Sequence, residues 1–177
     1  PMTLLPLIPL LPLLGFLFNF FYGTRLSQPA AHGHGGQAHG EAWQHSPLIG
    51  WVACGSMLLS FLCAVGAVLE AHAAPGGALQ VTLWSWIPGG AADTAAGASA
   101  FGVDWAYLLD PLSSVMVLVV TLVGLLIHVY SIGYMGHDPG YPRFMSYMNL
   151  FAFAMLTLVL GANFAVTFVG WEGVGLC

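Results

Sequence analysis

One acidic side chain lies inside the last apolar stretch of the sequence. Glu172 is about nine residues into a run that begins near Asn163, roughly 13 to 14 Å along a helix and close to the middle of a bilayer core about 30 Å thick. A charge there costs about 2.5 to 3.5 kcal/mol, and such residues usually mark proton or ion pathways. A buried carboxyl that meets a movable positive partner can load and release a proton. Glu172 is therefore a candidate proton carrier, and the alternative is a neutral, hydrogen-bonded packing residue.

A histidine in an earlier apolar stretch is the second candidate. His128 has a side chain whose ordinary titration range suits a proton relay, although a hydrogen-bonded packing histidine is the more common case. The glycines that flank Glu172 would allow a neighbouring helix to approach closely, and packing alone explains them equally well. These glycines are Gly170, Gly173 and Gly175.

The composition indicates that these residues are positioned by membrane-spanning helices. Of 177 residues, 5% are charged and 58% are hydrophobic, and the mean hydropathy is +0.85 over the whole chain. A soluble domain normally carries about a quarter charged residues, so this surface must meet a lipid bilayer. Two arginines, no lysine and seven acidic residues give a formal net charge of -5. So few positive side chains exclude nucleic acid as a partner. The three cysteines lack zinc or CxxC spacing and are predicted to be buried, inert thiols; they are Cys54, Cys63 and Cys177.

The fold class predicted from the apolar runs is an all-α membrane protein, a polytopic bundle of transmembrane helices. Proline–glycine clusters and Asp110-Pro111, a helix-start signal, separate the runs. A cleaved signal peptide is the alternative for the first run, but its start carries no charge. The chain begins at Pro1 and stops at Cys177 inside an apolar run, so we expect both ends to be truncated. The five predicted spans are residues 3–22, 47–69, 111–135, 143–160 and 163–177, the last of them truncated.

Two connecting segments differ in character. Residues 23–46 are rich in Gly and His without apolar periodicity and are predicted to be a solvated loop, with a transition-metal site on its histidines as the alternative. These histidines are His32, His34, His39 and His45. Residues 79–109, between the second and third spans, contain two runs that alternate with a period of two, and the second places Phe101, Val103, Trp105 and Tyr107 on one face. We predict a small β-hairpin at the membrane interface.

The charges give an orientation. Arg25 and Arg143 fall on the first and third connections, which five alternating spans place on one side, and positive residues favour the cytoplasm. The N-terminus and the hairpin are then predicted to be extracytoplasmic. The acidic residues of the opposite side agree with this orientation; they are Glu70, Asp93, Asp104 and Asp110.

Four separated motifs resemble one family. They are LLDPLSS (108–114), LIHVYSIGYM (126–135), YPRFMSYMNLF (141–151) and FVGWEGVGLC (168–177). In this order and spacing they resemble the largest antiporter-like subunit of proton-pumping NADH:quinone oxidoreductase, the L subunit or chain 5 of respiratory complex I. The likeness extends over nearly the whole chain and is weakest in the His-rich loop. Residues 1–177 would then be the N-terminal part of one antiporter-like membrane domain.

The resemblance implies a function for the whole protein. It implies a proton-translocating subunit of the bacterial inner membrane that couples quinone reduction to proton transport, in contact with other complex I membrane subunits. It further implies that Glu172 works with a lysine on a later helix and that His128 is a relay or supporting residue. No cofactor is expected on this chain, because NADH, flavin, iron–sulfur clusters and quinone belong to other subunits; no metal site is expected either. The alternative is the large subunit of a multisubunit Na⁺/H⁺ antiporter.

Overall fold

The computed structural model describes residues 4–23, 25–29, 43–74, 76–88 and 102–177. These residues form a helical bundle with two short antiparallel strand pairs, in agreement with the predicted fold class. In chain order the elements are α1 (Leu7–Tyr22), β1 (Ser27–Pro29), β2 (Trp43–His45), α2 (Pro47–Ala73), β3 (Leu79–Ile87), β4 (Val103–Leu109), α3 (Pro111–Met135), α4 (Tyr141–Leu160) and α5 (Phe164–Leu176).

Three of the described helices are long and apolar enough to cross a membrane, namely α2, α3 and α4. The helices α1 and α5 are apolar but shorter, with 16 and 13 residues. The predicted bounds differ most at α1, which begins at Leu7 rather than at residue 3, and at α2, which continues to Ala73. The most apolar window of α4 is 44% buried, compared with 28% in α2 and 22% in α3. The helix α4 is therefore the centre of the bundle.

The helix starts follow from capping side chains. The Asp110 carboxylate accepts a hydrogen bond from the Ser113 amide at 2.6 Å, and the Ser113 hydroxyl accepts one from the Asp110 amide at 2.7 Å. This reciprocal capping box, with Pro111 in the first turn, confirms the predicted start of α3. The Asn163 side chain caps α5 by accepting from the Val166 amide at 3.0 Å.

A serine compensates for a proline inside α1. Pro12 has no amide proton, so the carbonyl of Ile8, four residues earlier, cannot receive its usual helical hydrogen bond. The Ser60 hydroxyl of α2 donates to that carbonyl at 2.6 Å, and both residues are fully buried. Because lipid offers no substitute donor, this contact both satisfies α1 and fixes it against α2.

The predicted hairpin is present. The strands β3 and β4 pair antiparallel from Leu79↔Leu109 to Ile87↔Val103, with two irregularities in register. Val103, Trp105 and Tyr107 are half-buried or buried and share a face as predicted, whereas Phe101 lies outside the described residues. The alternation expected in β3 is wrong beyond Thr82, because the register shifts leave both faces of its end exposed.

The loop predicted at residues 23–46 has more structure than expected. The strands β1 and β2 pair from Ser27↔His45 to Pro29↔Trp43, so the prediction of a wholly irregular loop is wrong at its two ends. The reason is anchoring: the Ser46 amide donates to the Leu26 carbonyl at 3.1 Å, and the His45 ring lies 2.9 Å from the Asp138 carbonyl oxygen. The other three histidines of the tract, and with them its possible metal site, lie outside the described residues.

The bundle has two distinct ends. At the hairpin end, the turn between α4 and α5 is bound to β4, since the Ala162 amide donates to the Ala106 carbonyl and the Asn163 amide group to the Asp104 carbonyl. At the opposite end, which we call the arginine end, the connection from α1 to α2 meets the turn between α3 and α4. Arg25 lies in that connection, and Arg143 lies in the first turn of α4. A separate buried apolar cluster lies near each end.

Candidate functional site

The described helices enclose one histidine in a polar cluster. His128 is 1% exposed on α3, and its Nδ1 lies 2.7 Å from the carbonyl oxygen of Gly124, one turn earlier. Its Nε2 lies 3.1 Å from Oδ1 of Asn149, which is fully buried on α4. Both ring nitrogens of His128 are therefore engaged, one by its own helix and the other by the central helix.

The partners of the ring define two protonation patterns. A carbonyl oxygen only accepts, so Nδ1 carries a proton in every state. With Oδ1 of Asn149 towards Nε2, both ring nitrogens face acceptors, which is the pattern of an imidazolium ion. If the amide turns by 180°, its NH₂ group donates to a bare Nε2, which is the pattern of neutral imidazole. The Asn149 amide can thus pair with His128 in both charge states.

The same cluster reaches α2 and α1. The Ser56 hydroxyl lies 3.4 Å from Oδ1 of Asn149 and donates to the Ala53 carbonyl at 2.9 Å. On α1, a Cβ at Gly15 would lie 2.5 Å from Ser56 Oγ and 2.8 Å from Asn149 Nδ2, so only glycine allows this close approach. The cluster of Ser56, His128 and Asn149 is consequently packed directly against the backbone of α1.

Four other buried hydroxyl groups among the described residues bind their own helix. The side chains of Thr121, Ser131, Ser146 and Thr157 each donate to the carbonyl four residues earlier, at 2.7 to 2.9 Å. This local pattern satisfies the hydroxyl and sends no hydrogen bond to a neighbouring helix. It separates these residues from the cluster around His128, whose contacts join three helices.

His128 was predicted from the sequence, whereas the polar residues around it were not. Asn19, Ser56 and Asn149 are polar residues inside otherwise apolar runs, and a polar group at such depth is a signal for a functional or packing role. That signal was available for Asn19 and Asn149, the two asparagines inside spans. The proximity of Asn149 to Ser56 and Gly15 depends on helix packing, which the sequence alone does not define.

Glu172 lies on a different surface from His128. It is exposed on α5, beside an open cavity of about 420 Å³ that is also lined by Gly173, Gly175 and Leu176. Within the described ranges, no hydrogen bond or ion pair joins it to another side chain, and it is not brought together with His128. Its role as a proton carrier stays a prediction.

The flanking glycines explain how α5 is held. A Cβ at Gly170 would collide with the backbone of Leu158, and one at Gly173 would lie 3.0 Å from the Ala154 Cβ, both on α4. A Cβ at Gly175 would have no neighbour within 4 Å. Two of the three glycines therefore serve close packing, and this packing turns the Glu172 side of α5 away from the described bundle.

The structure also places the cysteines. Cys54 and Cys63 are half-buried and Cys177 is exposed, so the prediction of a buried thiol is wrong for Cys177. The reason is its position just past α5, at the outer edge of the described bundle. Among the described residues, no group of three or more His, Cys, Asp or Glu side chains is arranged to hold a metal ion.

Comparison with known proteins supports the resemblance of the motifs. A family model described as the N-terminus of chain 5 of NADH-ubiquinone oxidoreductase (complex I) matches residues 96–145. NADH-quinone oxidoreductase subunit L of Pseudomonas aeruginosa is 40% identical over 178 residues, covering 99% of this chain and 25% of that protein. The chain belongs to the family of complex I subunit L and chain 5.

Further relatives carry the same names over shorter ranges. NADH-quinone oxidoreductase subunit L of Rickettsia bellii is 51% identical over 79 residues, covering 45% of this chain and 12% of the relative. NADH-ubiquinone oxidoreductase chain 5 of Arabidopsis thaliana is 54% identical over 76 residues, covering 43% and 11%. The chain thus spans about a quarter or less of the length of these subunit L and chain 5 relatives. Their names do not favour the alternative of a Na⁺/H⁺ antiporter.

Proposed function

We propose that this chain is part of a proton-translocating membrane subunit of NADH:quinone oxidoreductase. The observation that carries the proposal is the 40% identity to a subunit L over 99% of the chain. Three helices long enough to span a membrane and a buried histidine in a polar cluster are consistent with it. The subunit would couple quinone reduction, carried out elsewhere in the complex, to proton movement through the membrane.

In this proposal the proton-carrying groups are Glu172 and His128. Glu172 is eight residues past the first residue of α5, roughly 12 Å along its axis, which is deep within a bilayer core. Since its side chain faces away from the described bundle, its positive partner would come from another part of the protein, as the family resemblance implies. His128 would relay protons, because its Asn149 partner accommodates both charge states.

The proposed orientation puts the arginine end in the cytoplasm. Arg25 and Arg143 are both at that end, whereas Glu70, Asp104 and Asp110 lie towards the hairpin end. Positive residues near span ends favour the cytoplasmic side. The hairpin of β3 and β4 would then lie outside the cytoplasm, in a multi-pass protein of the bacterial inner membrane that contacts other membrane subunits and carries no redox cofactor itself.

The test is NADH-driven proton uptake into inverted membrane vesicles that contain the complete chain in its assembled complex. We expect Glu172→Gln, which keeps size and hydrogen bonding but cannot ionise, to lower proton uptake several-fold at equal complex content. Glu70→Gln is the matched control, because Glu70 is an exposed carboxylate near the end of α2. Unchanged uptake in Glu172→Gln would contradict the assignment and leave Glu172 as a packing residue.

A further inference from the structure

A cavity at the arginine end approaches the His128 cluster from one side. It has a volume of about 340 Å³ and is lined by Asn19, Phe20, Arg143, Ser146 and Tyr147. Phe20 and Tyr147 are about half exposed and Arg143 is exposed, so these residues form its mouth, whereas Asn19 and Ser146 are each 1% exposed and form its floor. The cavity therefore leads from the solvated end of the bundle to two buried polar side chains.

The floor of the cavity is formed by α1 and α4. On each of these helices, the floor residue is one helical turn from the contacts of the Asn149 amide. Ser146 precedes Asn149 by three residues on α4, and Asn19 follows Gly15 by four residues on α1. One turn of helix is about 5.4 Å, a separation that a single water molecule bridges. Gly15 is also the point where α1 meets the Asn149 amide, so the two one-turn steps converge on the same group.

Two buried side-chain atoms near Gly15 have complementary hydrogen-bonding capacity. Oδ1 of Asn19 is an acceptor and Nδ2 of Asn149 is a donor, and neither has a hydrogen-bond partner among the described residues. The other ends of both amides are bound: Asn19 Nδ2 donates to the Ile49 carbonyl at 3.3 Å, and Asn149 Oδ1 faces His128. Buried polar groups that lack protein partners are usually bridged by ordered water.

We propose that this cavity is a water-filled entry to the His128 cluster and that Asn19 and Asn149 hold the water that joins the two. The inference rests on the proposed function, because it assigns the side from which His128 exchanges its proton. Water fits where a fixed partner would not: it can donate and accept, so it satisfies Asn149 in either orientation of its amide. The always-charged guanidinium at the mouth opposes a resident metal cation, and the floor offers no carboxylate to hold one.

The first test measures whether water reaches the floor. Ser146→Cys and Thr121→Cys are compared in the complete chain, free of other reactive cysteines, with the complex in lipid nanodiscs where both faces meet solvent. The two sites are matched, because each buried hydroxyl donates to the carbonyl four residues earlier, at 2.8 Å and 2.7 Å, but only Ser146 lines the cavity. We expect a charged methanethiosulfonate reagent to modify Ser146→Cys at least tenfold faster, because thiolates react only where water reaches them.

The second test removes the proposed water ligand. Asn19→Leu, combined with Ser146→Cys, is expected to slow modification towards the Thr121→Cys rate, and alone to lower proton uptake per NADH oxidised. Asn19→Ser, which restores a small acceptor, is expected to recover much of both. Equal modification of Ser146→Cys and Thr121→Cys would overturn the water-filled entry. The modification rate does not depend on proton pumping, so equal rates would not contradict the proposed function. Conversely, unchanged proton uptake in Glu172→Gln would contradict the proposed function but not the water-filled cavity.

Discussion

The polar side chains around α4 in the bundle interior and the carboxylate on the outer face of α5 differ in their hydrogen bonding. Inside the bundle, His128 has a partner at each ring nitrogen, and four buried hydroxyl groups are bound to carbonyls of their own helices. On α5, Glu172 is exposed and has no partner among the described residues. The partners of His128 all belong to the described helices. The helix α5, in contrast, packs one face on α4, and the face that carries Glu172 points away from the described bundle.

This contrast separates two requirements of a proton path. A relay group must keep its hydrogen bonds in both charge states, which the amide of Asn149 allows for His128 without movement of a helix. A carboxylate that holds a charge deep in a membrane needs a positive or hydrogen-bonding partner, because its isolated charge is costly there. The hydrogen bonds of His128 meet the first requirement, and under the proposed function Glu172 would meet the second through a partner on another segment.

The largest effect is expected where α5 meets α4. Gly170→Val would place side-chain atoms against the backbone of Leu158, which cannot move aside, so we expect a loss of about 3 kcal/mol of stability. The measurement is the thermal midpoint of the assembled complex, compared with Gly55→Val on α2. A Cβ at Gly55 meets nothing within 4 Å, and no partner segment is proposed there, so a small change is expected. Equal losses at both sites would contradict the close packing of α5 on α4.

A smaller effect tests which polar contacts of the interior are purely structural. Ser60→Ala leaves the Ile8 carbonyl without a donor in a buried site, and we expect a loss of about 1 to 3 kcal/mol. In a Pro12→Ala background, the amide of residue 12 can donate to that carbonyl, so the same change should cost much less. The thermal midpoints of the four chains give the coupling. Additive losses would contradict the role assigned to Ser60, and proton uptake should not change once stability is allowed for.

The helices and strands were more predictable from the sequence than the contacts between them. Long apolar runs and the Asp110-Pro111 start define α2 and α3 because composition and capping act locally. The partnership of His128 with Asn149 was not predictable, since it depends on how α3 and α4 are rotated against each other. The depth of Glu172 along α5 was predictable from its distance to Asn163. The direction of the Glu172 side chain was not predictable. It depends on which face of α5 packs on α4, and that face is the one that carries Gly170 and Gly173.

The smallest change in stability is expected at Asp110, a carboxylate whose hydrogen-bond partners lie in the same helical turn, in contrast to Glu172. Hydrogen bonds from the Ser113 amide and hydroxyl hold the pKa of Asp110 below its usual value. A lowered pKa stabilises the fold above the ordinary aspartate range, and this stabilisation is lost as the pH falls through the lowered value. Asp110→Asn cannot ionise, so its stability should lack that pH dependence, and Asp110→Ala should lose about 1 kcal/mol at neutral pH with the cap.

The measurement is the thermal midpoint of the purified complete chain at about pH 7 and about pH 3, where the difference between the wild type and Asp110→Asn isolates this one carboxyl. We expect the advantage of the wild type over Asp110→Asn to shrink at the lower pH. An unchanged advantage would mean that the cap does not depend on the charge of Asp110. Because the capping partners belong to the same helix turn, the result should be the same in the isolated chain and in the complex. The effect of Glu172→Gln, in contrast, should depend on the segment that faces α5.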